Sequence, residues 1–199
     1  MAVSTEQSNE HQLDSAFPSL KDQLLVAMPG LTDPFFKETV TYIIQHDEDG
    51  AMGVMINQTM PVNQYELLKQ LGLEAPKLLE HEDVLSGGPV QMQRGFVLHK
   101  ELGDWESSMA INDDVALTTS MDILEAIAKD EGPEQYQLLL GYAGWDAGQL
   151  DQEMLENSWL TVPANETLIF DTPLEERWQQ ASQSIGIDIN QLTLLAGHC

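Results

Sequence analysis

The sequence predicts an α+β fold in a single domain, with a central mixed β-sheet and helices packed on it. Three observations carry this. A length of 199 residues at 42% apolar composition suits one domain with a substantial core. Short β-branched runs and capped helix starts alternate irregularly along the chain, which opposes a regular parallel fold. No internal repeat and no Pro/Gly/Ser-rich linker divides the chain. Residues 20–199 are therefore read as one domain, behind a mobile polar tail at residues 1–19 that lacks any periodic apolar pattern.

The first element is the apolar run Leu24-Leu25-Val26-Ala27-Met28, a strand stopped by Pro29-Gly30. Asp33-Pro34-Phe35-Phe36 follows as a turn with Asp33 as cap and Pro34 in the first position. Residues 39–45 and 51–57 read as two strands, and Asp49-Gly50 between them is a strong hairpin signal. His46-Asp47-Glu48-Asp49 belongs to that turn, since it lacks the ligand spacing of a calcium loop. Asn63 caps a helix in which Glu66 reaches back, Leu67, Leu68 and Leu71 face inward, and Gly72 closes the end. Residues 76–83 are a surface connection.

The organising stretch comes next. Leu85-Ser86-Gly87-Gly88-Pro89-Val90 and Arg94-Gly95-Phe96-Val97-Leu98-His99 join two apolar runs through a Gly-Gly-Pro corner. Arg94 is one of only two arginines. Ser120 then caps a helix with Met121, Leu124, Ile127 and Ala128 at helical spacing. Residues 135–140 read as a buried strand running into a glycine loop, Gly141-Tyr142-Ala143-Gly144-Trp145-Asp146-Ala147-Gly148, before a short helix from Gln149. Residues 159–162 and 167–170 read as a strand pair. Thr172-Pro173-Leu174-Glu175 starts the last helix, whose buried stripe is Leu174, Trp178, Ala181 and Ile185. Residues 191–195 lead to Ala196-Gly197-His198-Cys199.

Charge is the strongest compositional signal, with 33 Asp and Glu against 8 Lys and Arg and a formal net charge of -25. Affinity for nucleic acid comes largely from cations neutralising phosphates, so direct DNA binding is disfavoured, as is docking on an anionic membrane. The lone Cys199 allows no internal disulfide. No apolar run approaches the roughly 18 to 20 residues of a membrane helix, and no signal-peptide pattern opens the chain. A cytoplasmic protein is expected.

The motifs from Leu25-Val26-Ala27-Met28-Pro29 and Asp33-Pro34-Phe35-Phe36, through Gly50-Ala51-Met52-Gly53-Val54-Met55-Ile56-Asn57, Gly87-Gly88-Pro89-Val90 and Arg94-Gly95-Phe96-Val97-Leu98-His99, continue in order to Gly141-Tyr142-Ala143-Gly144-Trp145, Gly148-Gln149-Leu150 and Ala196-Gly197-His198. Together they resemble the AlgH/YqgE family of bacterial proteins. Cys199 stands where that resemblance leads one to expect alanine. The resemblance implies a central mixed, barrel-like sheet, a cytosolic location and no settled biochemical activity. One member is named as a regulator of alginate production, and the label of transcriptional regulator passes to relatives. No helix-turn-helix with basic recognition residues is visible here, so such an effect would be indirect.

The candidate binding groove is Gly87, Gly88, Pro89, Arg94, His99, Tyr142, Gly144 and Trp145. Glycine corners let a ligand approach the backbone, and Arg94 offers a planar fork to a carboxylate or phosphate of a small anionic ligand or peptide end. Tyr142 and Trp145 would line an apolar wall. The glycine loop before the helix at Gln149 has the outline of an anion cradle, without a nucleotide-binding motif. The alternative is an enzyme, a hydrolase with His99 or His198 as base and Ser86 as nucleophile, although no nucleophile elbow surrounds Ser86. A zinc site from His46, His99 and His198 lacks any i, i+4 pair. No metal, cofactor or catalytic residue is assigned, and the expected protein is a non-catalytic binding or regulatory module.

Overall fold

The computed structural model describes residues 18–189 and 191–192. The tail before residue 18 and the terminal Ala196-Gly197-His198-Cys199 lie outside the described residues, as does most of the 191–195 run. Ser19, assigned to the tail, donates from its hydroxyl to the His46 carbonyl at 2.8 Å.

One long strand, β9 (Tyr136–Asp146), is the axis of the molecule. Its first half runs parallel to β5 (Asp83–Ser86), with Val84 opposite Leu138 and Ser86 opposite Leu140. Its second half is antiparallel to β3 (Gly50–Met55), from Gly53 opposite Ala143 to Gly50 opposite Asp146. Along its other side lies β6 (Val90–Lys100). Beyond β3 the sheet continues through β2 (Val40–Asp47), β1 (Gln23–Ala27) and β10 (Trp159–Pro163). Beyond β6 it continues through β8 (Val115–Thr118) to the edge strand β7 (Ser108–Ala110), while β4 (Thr59–Asn63) pairs with β5. The one parallel pairing makes this the expected mixed sheet.

The central strands are covered on both faces, so β1, β3 and most of β2 are buried on both sides. In β1, Leu24 and Val26 point into the main core with Tyr42, Ile56, Phe96, Leu117 and Ile169, which helix α4 (Leu174–Ser184) closes. Leu25 and Ala27 point the other way, to a second cluster with Trp145 and Trp159 under α3 (Gln149–Leu155). A third cluster lies under α1 (Gln64–Gln70) and α2 (Met121–Ala128), centred on Leu68, Ile123 and Leu138.

Several local expectations hold. Asn63 caps α1 by accepting from the Glu66 amide at 2.8 Å, and Asp33 accepts from the Phe35 amide at 2.8 Å. Asp47 steadies the 48–49 turn by accepting from the Asp49 amide at 3.0 Å. Helix faces are less well placed. Leu71, Met121 and Ile185 are exposed, while Ile123 and Arg177 are buried in their stead. A helix advances 100° per residue, so a one-residue error in phase moves such a side chain across the boundary.

Four assignments are corrected. Residues 141–146 are not a loop, because β9 runs unbroken through them to Asp146. Gly141 serves backbone contact: a Cβ on it, at φ 73°, would lie 2.4 Å from the Gly88 carbonyl. Residues 167–170 are not a strand but part of a π-helical turn, Thr167–Asp171, and β10 pairs with β1. The Asn165 side chain starts this turn by accepting from the Leu168 amide. Thr172 does not cap α4; its hydroxyl donates back to the Thr167 carbonyl at 2.9 Å. The connection at 76–83 holds a 3-10 turn, Lys77–His81, that buries Leu79.

Candidate functional site

The geometry of the central stretch follows from a mismatch between β6 and β9. Val90 faces Tyr142 and Gly95 faces Leu140, so four residues of β6 span a gap that one residue of β9, Gly141, fills. The excess, Gln91 to Arg94, is pushed outward as a wide bulge and is exposed throughout. Gln91 takes φ 48° to make the bend. Bulges re-aim side chains, and this one lays the Arg94 guanidinium 5.2 Å from the centre of the Phe96 ring.

Below Arg94 is a cavity of about 280 Å3. Met52, Phe96, Met109, Leu117 and Tyr142 give it apolar walls, and Ser107 and Thr119 give it hydroxyls. Among the described residues the guanidinium's one hydrogen-bond partner is the neutral Gln91 Oε1, at 3.5 Å, and no carboxylate lies within 4.0 Å of it. In a chain with 33 acidic residues, no carboxylate among the described ones pairs with this cation.

Of the residues singled out in the sequence, the structure brings Arg94 and Tyr142 together on one cavity. Gly144 is exposed beside the Tyr142 ring, and Pro89 is half-buried at the corner. Gly87 and Gly88 are buried behind the site. The Gly87 amide donates to the Leu140 carbonyl, and its own carbonyl accepts from Met55. A Cβ on Gly87 would sit 2.2 Å from the Gly141 carbonyl oxygen, so these glycines admit a neighbouring strand rather than a ligand.

Trp145 lies on the other face of the sheet. Side chains alternate along β9, so Tyr142 turns to the main core and Trp145 to the cluster under α3. There it stacks 6.0 Å from Phe36, and Glu153 Oε2 accepts from both the Trp145 and Trp159 indoles, at 2.9 and 2.8 Å. The candidate groove is therefore two surfaces.

His99 is fully buried. Its Nδ1 is 3.1 Å from the carbonyls of Lys100 and Glu101, which only accept, so that nitrogen carries the proton. Nε2 then accepts from the Thr118 hydroxyl at 2.8 Å, and Thr118 is 2.8 Å from Ser108. Ser86 is not among the partners of His99. His46 is held by the Leu20 amide at 3.0 Å and Asp151 at 3.6 Å, and His198 lies outside the described residues. No group of three or more metal-ligating side chains forms among the described residues. The anion-cradle outline also dissolves, since α3 has seven residues and follows a strand.

The model of the AlgH-like family matches residues 24–190. The chain belongs to this family. A relative from Saccharophagus degradans, a UPF0301 protein, is 47% identical over 98% of this chain and 97% of its own length. A UPF0301 protein from Alcanivorax borkumensis is 48% identical over 90% of this chain and 96% of its own. The solution structure of the AlgH protein from Pseudomonas aeruginosa superposes with a TM-score of 0.76 at 43% identity, covering 98% of this chain and 100% of that one. A Corynebacterium diphtheriae protein at 19% identity shares the fold, with a TM-score of 0.70 over 89% of this chain and 93% of its own. Family membership fixes the architecture, and function has to be argued from side chains.

In this AlgH-like chain sequence reasoning passed over the other arginine. Arg177 in α4 is 3% exposed and donates to the carbonyls of Thr172 and Ile56, tying the helix to the end of β3. Burial pushes its guanidinium down to about 10, with Asp171 opposing, so it stays charged at neutral pH. Its signal was its spacing, four residues before Ala181 on the face that α4 buries. Met109 and Leu117 in the Arg94 cavity were also missed, because residues 101–119 carried no assignment.

Proposed function

We propose that this protein is a non-catalytic binding module that receives an anionic group, on a small molecule or at the end of a peptide, in the cavity below Arg94. The observation that carries the reading is an exposed guanidinium, without a carboxylate partner among the described residues, stacked over a largely apolar cavity in a strongly acidic chain. A planar fork of five donors suits a carboxylate or phosphate, and its stacking on Phe96 limits the rotamer freedom lost on binding. The apolar walls would take the non-polar remainder of the ligand.

A peptide end gains support from β7. The bonds from Thr119 to the Ser107 carbonyl and from Ile111 to the Val115 carbonyl fix the ladder, so Ser108 and Ala110 turn their backbone groups away from β8. An extended peptide would pair with that edge beside Arg94, in place of the Lys21 Nζ contact to the Ala110 carbonyl at 3.4 Å. The charge of -25 opposes DNA and anionic membrane, so a regulatory effect on transcription would pass through the bound ligand or partner, in the cytoplasm. No described helix is long and apolar enough to cross a membrane.

The test is thermal unfolding of wild type and Arg94→Ala across a panel of carboxylates, phosphorylated compounds and short peptides with free C-termini. A ligand at 100 times its dissociation constant stabilises by about 2.7 kcal/mol. Stabilisation of the wild type alone is the expected result. Equal shifts in both proteins would remove Arg94 from the site.

A further inference from the structure

A second cavity, apart from the one below Arg94, opens where the end of α2 turns into β9. Its volume is about 450 Å3, within the range of small-ligand sites. Leu79, Ile127 and Phe170 give it alkyl and aromatic walls.

Its floor is Gln64 and Tyr136. Gln64 is 5% exposed, and its Nε2 donates to the Asp83 carbonyl at 3.1 Å, which fixes the amide orientation. Its Oε1 therefore accepts the Tyr136 hydroxyl proton, at 3.0 Å. With that proton committed, the phenol oxygen has only lone pairs left and accepts hydrogen bonds from a ligand without giving any, while Gln64 keeps its second amide N–H.

Glu82, Asp130 and Glu134 line the same cavity, all exposed. No lysine or arginine lines it, and none of the three carboxylates is in an ion pair among the described residues. Their field reaches the floor: burial first, then Glu82 and Asp130, push the Tyr136 phenol up to about 12.

We propose that this cavity binds an alkylammonium group, carried by a free diamine or by a lysine side chain of a partner. An ammonium has three donors and no acceptor, which suits the Tyr136 phenol oxygen and the three carboxylates. Its alkyl stem lies along Leu79 and Ile127 while the charge meets the carboxylates, and the Phe170 ring offers a further face to the cation. An anion is repelled by the rim. A bare metal ion gains nothing from the hydrocarbon walls.

The experiment is calorimetric titration of the full chain with 1,5-diaminopentane and with Nα-acetyl-lysine methylamide at matched ionic strength, using n-pentanol as the uncharged control. It is repeated on Asp130→Asn/Glu134→Gln. Both positions are exposed, and asparagine tolerates the left-handed φ of 61° at position 130. At least one amine should bind the wild type, and the double variant should weaken it about tenfold or more. Arg94→Ala, which removes the anion site, should bind the amine as wild type does. Preference for the diamine identifies a free small molecule, and preference for the lysine derivative identifies a partner's side chain. No binding of either amine up to about 10 mM, equal affinity in the double variant, or equal binding of n-pentanol would overturn the proposal.

Discussion

Two arginines in one chain do opposite things, and the difference lies in what surrounds each guanidinium. Arg94 stands in solvent with one weak neutral contact and a ring beneath it. Arg177 is enclosed and spends its donors on two main-chain carbonyls, one of them 121 residues away in sequence. Hydrogen bonds from charged groups contribute about 1.5–3 kcal/mol each, and removing a buried donor leaves its acceptors unsatisfied. Arg177→Ala should therefore cost about 3–5 kcal/mol. Arg94→Ala should cost less than about 1 kcal/mol, its share of an exposed cation–π contact. Urea denaturation of both variants measures this, with a lowered midpoint at unchanged slope expected for Arg177→Ala. Comparable losses would mean that Arg94 is structural, and the anion site would lose its anchor.

At the scale of elements, the Gly-Gly-Pro corner and the glycines of β9 are one device seen from two strands. Gly88 has φ 151°, and a Cβ on it would meet the Tyr142 carbonyl carbon at 2.2 Å; nothing lies within 4 Å of a Cβ on Gly95. Gly88→Ala should force β5 and β9 apart locally and cost about 3 kcal/mol or more, whereas Gly95→Ala should stay within about 0.5 kcal/mol. Thermal unfolding of the two variants decides it, and a tolerated Gly88→Ala would reopen the corner as a place for ligand. The pairing also shows where the sequence was readable. Short apolar or β-branched runs with turn residues between them, as at β1, β2 and β3, announce themselves locally. The 141–146 segment reads as a loop because glycine is scored as a breaker, while its strand character comes from partners far away in sequence at β3 and β6. The same blindness merged Tyr142 and Trp145 into one groove. Once β9 is a strand, residues three apart must face opposite ways. Arg94 was legible by rarity alone, but the apolar cavity it covers is built partly from β7 and β8, whose short runs gave no local signal.

At the scale of the whole molecule, the charge of -25 is a long-range term that the fold does little to neutralise. Ion pairs among the described residues include Lys37–Glu38 at 3.8 Å and Lys100–Glu166 at 2.5 Å, and the His46 ring lies 3.6 Å from the Asp151 carboxylate. Screening therefore has few attractions to weaken and many repulsions to relieve. The Debye length falls from about 30 Å at 0.01 M to about 10 Å at 0.1 M salt, which is the range over which surface carboxylates on this chain cease to feel one another. The melting temperature should rise steadily with sodium chloride across that interval and then flatten. The two cavities should respond in opposite senses, because the same field hinders an anion approaching Arg94 and draws an ammonium towards Glu82, Asp130 and Glu134. Added salt should thus strengthen apparent anion affinity and weaken amine affinity. Measuring both against salt, beside the melting curve of the free protein, separates specific sites from a general counterion effect. A melting temperature that falls with salt would show that paired charges outweigh the repulsion, and parallel slopes for anion and amine would show that neither is held where its charge is matched.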